Sequence, residues 1–321
     1  PMTKYILRNF LILIPKLLVI SLIIFLALNA LPGDSITRTL SPEQIEMMSE
    51  AQLEARRESL GLNDPWFIQY FSWLGRLLQG DFGYSQSTGS NIAVMLATRL
   101  PYTMELAAWA LVFSSVLGIL FGFIAAINKN SLADYGCTAF SVIGTSVPEF
   151  FFGVVFILFF ALKLKWFPTG GRMDPKGGAD FFSRFRYIVL PAFTLAIHLM
   201  ASQARYTRGS VLDVLNKDYI KTARSKGLSE TTINLKHALR NALTPVMVLL
   251  VSRLPALVSG TVVIETVFNY PAMGSMVLDA ISASDMPVVM ITTMTISIVT
   301  LVASTLIDIV TAMLDPRVRL D

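Results

Sequence analysis

The chain has 321 residues and a formal net charge of +4, and 54% of its residues are hydrophobic whereas 15% are charged. Soluble domains carry about 25% charged residues, so this composition predicts a protein solvated by lipid and excludes a disordered chain or a nucleic-acid-binding module. Because Cys137 is the only cysteine, an internal disulfide and a thiolate-rich metal site are also excluded.

Six apolar segments are long enough to cross a membrane as helices, which needs about 20 residues each. They are 10–31, 106–127, 136–162, 187–204, 242–264 and 286–307. The first follows basic residues, as a secretory signal does, but it is too long and no small-residue cleavage site follows it, so we interpret it as a retained helix. The pattern predicts an all-α membrane protein with six transmembrane helices.

The distribution of lysine and arginine predicts that both termini face the cytoplasm. Cytoplasmic loops carry an excess of basic residues. The outer segment 33–98 carries four arginines against eight acidic residues, and four minus eight gives a net charge of −4. The outer segment 163–186 carries six basic residues and so argues against this orientation. We therefore divide the chain into 1–32 (the N-terminus and first span), a helical extracytoplasmic insertion at 33–98, and a core at 99–321.

The insertion 33–98 contains two helix signals. The run SPEQ at 41–44 offers an N-cap, a proline at the first helical position and a capping-box glutamine, and Gly61 can end the helix that follows. A second helix starts at the DP pair 64–65 and ends near Gly80. Its many aromatic residues predict that it packs on the rim of the membrane domain or lies at the membrane interface. A small helical cap is favoured over direct contact with a substrate.

The stretch 205–245 is the most informative part of the chain. It carries eight basic residues against three acidic ones, with apolar residues at helical spacing. Gly227 provides a helix C-cap and Ser229 a new N-cap, which predicts two helices joined by a turn, the second running over about 230–243, ahead of Pro245. An exposed apolar stripe beside basic residues predicts either a docking surface or a helix on the membrane surface.

Charged residues and a proline inside the predicted spans are further candidates for function. Arg253 and Asp308 both lie about 10 Å from the inner ends of their spans, at 1.5 Å per residue. We expect them to pair or to line an inner vestibule together, and a structural pair is favoured. Pro148 should kink the third span. Because kinked backbone in a membrane is tolerated where it is buried or lines a watery path, Ser146, Pro148 and Glu149 are candidates for such a path, with simple packing as the alternative.

Residues along nearly the whole chain resemble one family. The run DYIKTARSKGLSE at 218–230 is similar to the cytoplasmic loop of ABC-importer permeases, whose general form is Glu-Ala-Ala, three residues, Gly. Ala223 and Gly227 match that form, whereas Lys221 and Thr222 depart from it in the manner of the peptide/nickel branch. The likeness is to the first of the two permeases of oligopeptide and dipeptide systems. Further matches are LPGD at 31–34, GDFG at 80–83, HALRNALTP at 237–245 and FNYP at 268–271.

The resemblance implies the fold of a type I ABC importer permease within a larger complex in a bacterial or archaeal inner membrane. The implied partners are a second homologous permease, two cytoplasmic ATPases that each bind one permease, an extracytoplasmic binding protein that delivers peptides, and the lipid bilayer. ATP and magnesium would be used by the ATPases. The chain contains no phosphate-binding GxxxxGK[ST] motif, which agrees with a permease that is not itself the ATPase and holds no cofactor.

The resemblance also assigns contact with the ATPase to one short segment. The expected contact residues are Lys217, Asp218, Tyr219, Lys221, Ala223, Arg224, Lys226, Gly227 and Leu228. Apolar side chains would fill a groove on the ATPase, and small residues would allow close approach and fix the turn. Basic side chains could pair with acids at the rim of the groove, each pair being worth roughly 0–1 kcal/mol.

Other hypotheses stay open. The same architecture could carry nickel, a metal chelate or an oligosaccharide, although the sequence offers no His/Cys/Asp cluster for bare metal, which mildly favours organic cargo. A self-contained secondary transporter would need its own coupling-ion site and usually repeated halves. An intramembrane enzyme would need a catalytic constellation, and the motifs HExxH and GxSxG are absent from the sequence.

Overall fold

The computed structural model describes residues 2–30, 45–59, 61–174 and 180–314, and within them regular structure is helical apart from one antiparallel bridge between Tyr84 and Asn91. The helices in chain order are α1 (Met2–Asn29), α2 (Glu50–Ser59), α3 (Trp66–Leu78), α4 (Ile92–Ile127), α5 (Leu132–Ser146), α6 (Glu149–Phe156), α7 (Phe181–Leu215), α8 (Asp218–Ser225), α9 (Glu230–Thr232), α10 (Arg240–Val251), α11 (Leu254–Val267), α12 (Met273–Ser282) and α13 (Met286–Leu314). Two π-helices extend α6 and α9, at Ile157–Lys163 and Ile233–Leu239.

Four of the described helices are long and apolar enough to cross a membrane: Phe10–Asn29 of α1, α4, α7 and Met286–Ile307 of α13. The helices α5 and α6 pass the same test together, but they are bent by 106° at a break that contains Pro148, the residue just before α6, so the described residues contain up to five such spans. The predicted kink at Pro148 is therefore present, and the expected all-helical membrane class is confirmed.

The predicted fifth span, 242–264, is not one helix. The helix α10 ends at Val251 and α11 begins at Leu254, with Pro255 in the first turn of α11. Proline has no N–H to donate, and its ring clashes with the carbonyl four residues earlier, so the backbone breaks at this point. Proline at the first turn of the new helix costs nothing further, because that N–H would have no helical partner in any case.

The described chain divides into two compact units. Unit 1 comprises Pro1–Tyr102 and Ala272–Leu301, and unit 2 comprises Thr103–Pro271 and Val302–Asp321. The core of unit 1 is formed by the first turns of α4 together with α12 and the start of α13. Side chains of α3 pack against this core from the side. The core residues include Ile92, Leu96, Met273, Met276, Val288 and Ile291, with Trp73 and Leu77 packed against them.

The short helices of unit 1 begin and end at local signals. The predicted cap at 41–44 lies outside the described residues, so it stays a prediction. The helix α2 begins after Ser49, whose hydroxyl accepts the N–H of Gln52 while the side chain of Gln52 accepts the N–H of Ser49. The helix α3 begins after Pro65 and ends just before Gly80, whose φ of +82° suits glycine, as the sequence predicts.

A buried carboxylate fixes the loop that precedes α4 in unit 1. Asp285 is 1% exposed and accepts hydrogen bonds from the hydroxyls of Ser85 (2.5 Å) and Ser87 (2.8 Å) and from the N–H groups of Gln86 (3.2 Å) and Ser87 (3.1 Å). Burial acts to raise the pKa of Asp285, but these hydrogen bonds favour the charged form and leave its pKa below the usual range. The loop is therefore held to the start of α13 by a charged group.

In unit 2 the helices α4 and α5 pack closely against α7 at positions occupied by glycine. A Cβ on Gly122 would lie 2.3 Å from the carbonyl oxygen of Ala204, and one on Gly118 would lie 2.8 Å from the Cβ of Gln203. On α5, a Cβ on Gly144 would lie 2.7 Å from the Cβ of Ala201. Small residues at these positions let helix backbones approach closely, as in other membrane helix pairs.

Candidate functional site

The segment 205–245, which we call the elbow, contains two breaks in its backbone. The helix α7 ends at Leu215, and α8 follows after two residues. A second break follows α8, where Gly227 has a φ of +77° and the N–H of Leu228 bonds back to the carbonyl of Ala223 at 3.3 Å. Ser229 then caps α9 by accepting the N–H of Thr232 at 3.3 Å. The predicted C-cap and N-cap are both confirmed.

Gly227 is required by its backbone conformation and not by crowding within the chain. A Cβ placed on it would meet no atom within 4 Å. A residue with a side chain at a φ of +77° is strained, however, because the left-handed region costs L-residues roughly 1–2 kcal/mol. The turn geometry therefore explains the glycine without any partner being invoked.

The predicted apolar stripe of the elbow is largely internal, which corrects the expectation that it is exposed. Ile220 and Ala223 are 0% and 8% exposed and pack against Ile233 in a small core of the elbow itself. Ala223 is therefore not available to fill a groove on another protein. Tyr219 and Leu228 remain exposed at 47% and 41% and form the accessible apolar surface of the turn.

Charged pairs lie on the outside of the elbow. The guanidinium of Arg224 donates to both carboxylate oxygens of Glu230 at 2.8 and 3.2 Å, and the ammonium of Lys221 donates to Asp218 at 2.9 Å. The hydrogen bond from Arg224 lowers the pKa of Glu230. Two of the basic residues assigned to an ATPase contact thus already have partners in this chain, whereas Lys217 and Lys226 are exposed on either side of α8.

The elbow includes the end of α7 and packs against the end of α4. Val211, Ala238 and Ala242 form a buried cluster with Ala126 of α4, and Phe123 packs against it. Displacement of the elbow would therefore be passed to α4 and α7 through tightly packed side chains, since packed interiors deform little.

The second helix of the elbow does not end before Pro245, contrary to the prediction. The helix α10 contains Pro245 and continues to Val251. Two side chains of α7 donate to carbonyls of α10 on either side of the proline: Ser210 Oγ to Ala242 O at 3.2 Å and Gln203 Nε2 to Val246 O at 3.4 Å. Such lateral hydrogen bonds support a proline inside a membrane helix by serving backbone groups near the distortion.

An ion pair that sequence reasoning missed joins α5 to α7 beside the elbow. The guanidinium of Arg208 donates two hydrogen bonds to the carboxylate of Asp134, one of them at 2.8 Å, and the N–H of Asn130 donates a third at 2.9 Å. Asp134 is 3% exposed, and removing one partner of a buried pair leaves an uncompensated charge. The pair is expected to hold the start of α5 firmly on α7.

Four of the five candidate path residues have described side chains, and these lie in two different surroundings. Ser146 and Pro148 are exposed at the bend between α5 and α6, and Glu149 is half-buried in the first turn of α6. Arg253 is half-buried at the break between α10 and α11. The side chain of Asp308 lies outside the described residues, so the expected pair with Arg253 stays a prediction.

Arg253 lines an open cavity of about 520 Å³ between α7 and α10. Arg205, Tyr206 and Asp213 of α7 line the same cavity, which therefore carries two guanidinium groups, a phenol and one carboxylate. The residues at the bend of α5 and α6 do not line this cavity. The arrangement can bind or pass a polar, mostly anionic group near the elbow.

Two further acids of unit 2, the half-buried Glu105 and the buried Glu265, have partners that no local sequence pattern indicates. Glu105 of α4 pairs with Arg172 at 3.1 Å. Glu265 of α11 is 0% exposed and accepts a hydrogen bond from Thr103 Oγ1 at 3.3 Å. The ion pair with Glu105 anchors the loop that carries Arg172 to α4.

Comparison with known proteins gives a consistent result along the chain. Residues 118–320 match the family described as "Binding-protein-dependent transport system inner membrane component", and residues 2–107 match that described as "Binding-prot-dependent transport system membrane comp, N-term". The chain is 39% identical over 319 residues to the oligopeptide transport system permease protein AppB of Bacillus subtilis (strain 168), covering 99% of this chain and 100% of that protein.

Two further relatives and a solved structure agree with this family match. The chain is 34% identical to the di/tripeptide transport system permease protein DppB of Pseudomonas aeruginosa (strain UCBPP-PA14) and to the glutathione transport system permease protein GsiC of Escherichia coli (strain K12), in each case over 99% of both chains. Its fold matches a chain of the inward-facing MetNI methionine ABC transporter with a TM-score of 0.53 at 15% identity, covering 70% of this chain and 97% of that one.

Proposed function

This chain belongs to the family of binding-protein-dependent transport system inner membrane components, and from that premise we propose that it imports peptides through a path it shares with a second permease of the same family. It is the permease subunit of an ABC importer of the peptide class, it is integral to the inner membrane, and it is not an enzyme, because ATP hydrolysis resides in a separate subunit. The observation that carries the peptide class is the 34–39% identity, over 99% of the chain, to permeases named for oligopeptides, di/tripeptides and glutathione. A metal chelate or an oligosaccharide is not favoured by these relatives.

The proposed topology has six spans and cytoplasmic termini. Each broken pair counts as one span, so the six are α1, α4, α5 with α6, α7, α10 with α11, and α13. The basic elbow then lies on the cytoplasmic side and the acidic segment 33–98 on the outer side, in accord with the positive-inside rule. Residues 1–32 contribute the first span, and residues 99–321 form the permease core.

In the proposed mechanism two ATPases bind the complex, one at each elbow. Tyr219 and Leu228 supply the apolar contact, and the exposed Lys217 and Lys226 steer the docking of the ATPase. Surface ion pairs contribute little affinity, so the apolar contact is the main attachment. When ATP draws the two ATPases together, each elbow moves, and the cluster that contains Val211 passes this displacement to α4 and α7.

The proposed translocation path contains Arg253 at its cytoplasmic end and Ser146, Pro148 and Glu149 at the bend between α5 and α6. Arg253 would either pair with Asp308 or meet the terminal carboxylate of a departing peptide. A double-mutant cycle separates these roles. If the two residues pair, Arg253→Ala and Asp308→Ala each impair assembly more than the double substitution does, whereas additive effects argue against the pair.

The function is tested by reconstituting the chain with its co-purifying permease, ATPases and binding protein in proteoliposomes. We expect uptake of a labelled tripeptide that requires both ATP and the binding protein. A labelled maltotriose and a nickel–histidine chelate serve as matched cargo controls and should not enter. Uptake by this chain alone, driven by an ion gradient, would reject the proposed function, and uptake of only the chelate or the sugar would reject the peptide class.

A further inference from the structure

The helix α3 in unit 1 has three distinct faces. At 100° per residue, its exposed apolar face and its polar face lie roughly 150° apart around the axis, and a third face between them packs against α1 and the core of unit 1. The packed face consists of Tyr70, Trp73 and Leu77, and the polar face consists of Gln69, Ser72 and Arg76. The exposed apolar face consists of Phe67, Phe71 and Leu78, which are 48%, 65% and 80% exposed.

The contact between α3 and α1 sets the depth of α3 relative to the membrane. The hydroxyl of Tyr70 lies 2.8 Å from the hydroxyl of Ser21 and 3.4 Å from the carbonyl oxygen of Leu18. Ser21 lies eight residues before Asn29, where the apolar span ends, which is about 12 Å along the helix axis. Because this depth exceeds the reach of a tyrosine side chain, the backbone of α3 near Tyr70 lies below the end of the span.

Aromatic contacts give the same depth independently. The ring of Phe25, four residues before Asn29 and therefore about 6 Å below the end of the span, packs on Tyr70 at 5.4 Å and on Trp73 at 6.2 Å between centroids. Half of a typical hydrocarbon core is about 15 Å thick. The middle of α3 thus lies within the depth of one leaflet, beside a span whose own Val19 and Ile23 are 57% and 60% exposed.

We propose that α3 is an interfacial helix seated in the extracytoplasmic leaflet, with Phe67, Phe71 and Leu78 in contact with lipid acyl chains. The exposed Ser72 and Arg76 then face the headgroups and water, which is the arrangement of an amphipathic helix lying in the plane of a membrane, while Gln69 donates to the carbonyls of Leu62 and Asp64 in the preceding loop. The Tyr70 and Ser21 hydroxyls, which are both buried, satisfy each other where water is absent. The lipid contact goes beyond the transport function, because it fixes the position of the insertion and not the choice of cargo.

The depth of α3 is tested by spin labelling in the complete transporter, reconstituted in nanodiscs of phosphatidylethanolamine and phosphatidylglycerol. A nitroxide is attached at Phe71→Cys on the apolar face and, as the matched control, at Ser72→Cys, the next residue on the polar face. The native Cys137 is buried, and the unsubstituted chain measures any background labelling. Collision rates are recorded with oxygen, which partitions into lipid, and with a water-soluble nickel chelate.

We expect the ratio of oxygen to nickel-chelate collision rates to be at least about fivefold higher at position 71 than at position 72, as for a residue in the acyl region. Equal ratios with strong nickel collisions at both positions would overturn the proposal, because they place α3 in water. Weak collisions with both reagents at position 71 would also overturn it, because they show that a protein partner covers this face. Phe67→Cys provides a second, independent position, and none of these readouts depends on transport activity.

Discussion

Substitution of Gly227 tests whether the elbow turn works through its backbone conformation. The φ of +77° costs a residue with a side chain roughly 1–2 kcal/mol. Part of the strain in Gly227→Ala, about 0.4–1 kcal/mol, is offset because alanine reduces the entropy of the unfolded chain. Since a Cβ meets open space, no clash adds to this cost. A net loss of about 1 kcal/mol lowers the population of the folded turn roughly fivefold relative to its opened state.

A series of substitutions at this position separates two explanations. Asparagine tolerates the left-handed region, alanine is strained there, and β-branched valine is worst. We expect the ratio of peptide transported to ATP hydrolysed in proteoliposomes to fall in the order Gly227→Asn, Gly227→Ala, Gly227→Val. The matched control is Gly136→Ala in α5, outside the elbow, where φ is helical and a Cβ also meets nothing within 4 Å.

The series also has a result that would refute the reasoning. If glycine is needed because the ATPase approaches its backbone closely, all three substitutions will abolish coupling to the same extent, whatever their tolerance of positive φ. If all three leave coupling unchanged, the turn is not part of the coupling route. Co-purification of the ATPase with each variant shows whether attachment or the transmitted motion has failed.

Three further predictions follow from individual contacts. Asp285→Asn should destabilise unit 1 by about 2–3 kcal/mol, because hydrogen bonds to a charged group are lost. The folded-state pKa of Asp285 lies below its unfolded value, so the stability it contributes is present at neutral pH and is lost as the pH falls through the folded-state pKa. The thermal unfolding temperature of the variant should therefore depend less on acidification than that of the unsubstituted protein, and equal dependence would contradict this. Gly122→Ala should lower the stability of the purified complex by about 1–3 kcal/mol or more, measured by thermal unfolding, because its Cβ would lie 2.3 Å from a backbone oxygen. In the control Gly136→Ala the Cβ meets nothing within 4 Å, and stability should be unchanged. Similar losses in both variants would refute the close contact. Arg224→Ala removes an exposed pair with Glu230 and should lower transport coupling less than Gly227→Val does, because solvent screens surface ion pairs. A larger loss would indicate a direct contact of Arg224 with the ATPase.

Features set by neighbouring residues were predictable from the sequence. The bend at Pro148, the start and end of α3, and the caps at Gly227 and Ser229 each arise from backbone preferences of one or two residues. Hydropathy likewise located the four or five apolar spans that the described helices contain. These signals are short in range and are therefore present in the sequence itself.

Features that depend on distant residues were not predictable in the same way. The helix break before Pro255 and the continuation of α10 through Pro245 show why, because a proline ends one helix and is accommodated in the other. The difference lies in neighbouring groups on α7, which serve the backbone beside Pro245. The pairing of Asp134 with Arg208 joins residues that no sequence period connects.

The sequence also overestimated how much of the apolar stripe of the elbow is exposed, for a physical reason. Helical spacing shows that Ile220 and Ala223 share a face, but not which element covers that face. The chain folds back at Gly227 and buries both residues against Ile233. Of the apolar residues that the sequence assigned to the ATPase contact, Tyr219 and Leu228 stay exposed.

The claim that a separate ATPase acts on the elbow is tested most directly by site-specific photo-crosslinking in the assembled transporter. A photoreactive phenylalanine analogue replaces Tyr219 in the elbow or, as control, Phe182 at the opposite end of α7; the native side chains are both aromatic and exposed, at 47% and 70%. The account predicts a crosslink to the ATPase subunit from position 219, whose yield changes on addition of ATP, and none from position 182. A crosslink to the ATPase from position 182 alone, or to the extracytoplasmic binding protein from position 219, would contradict it.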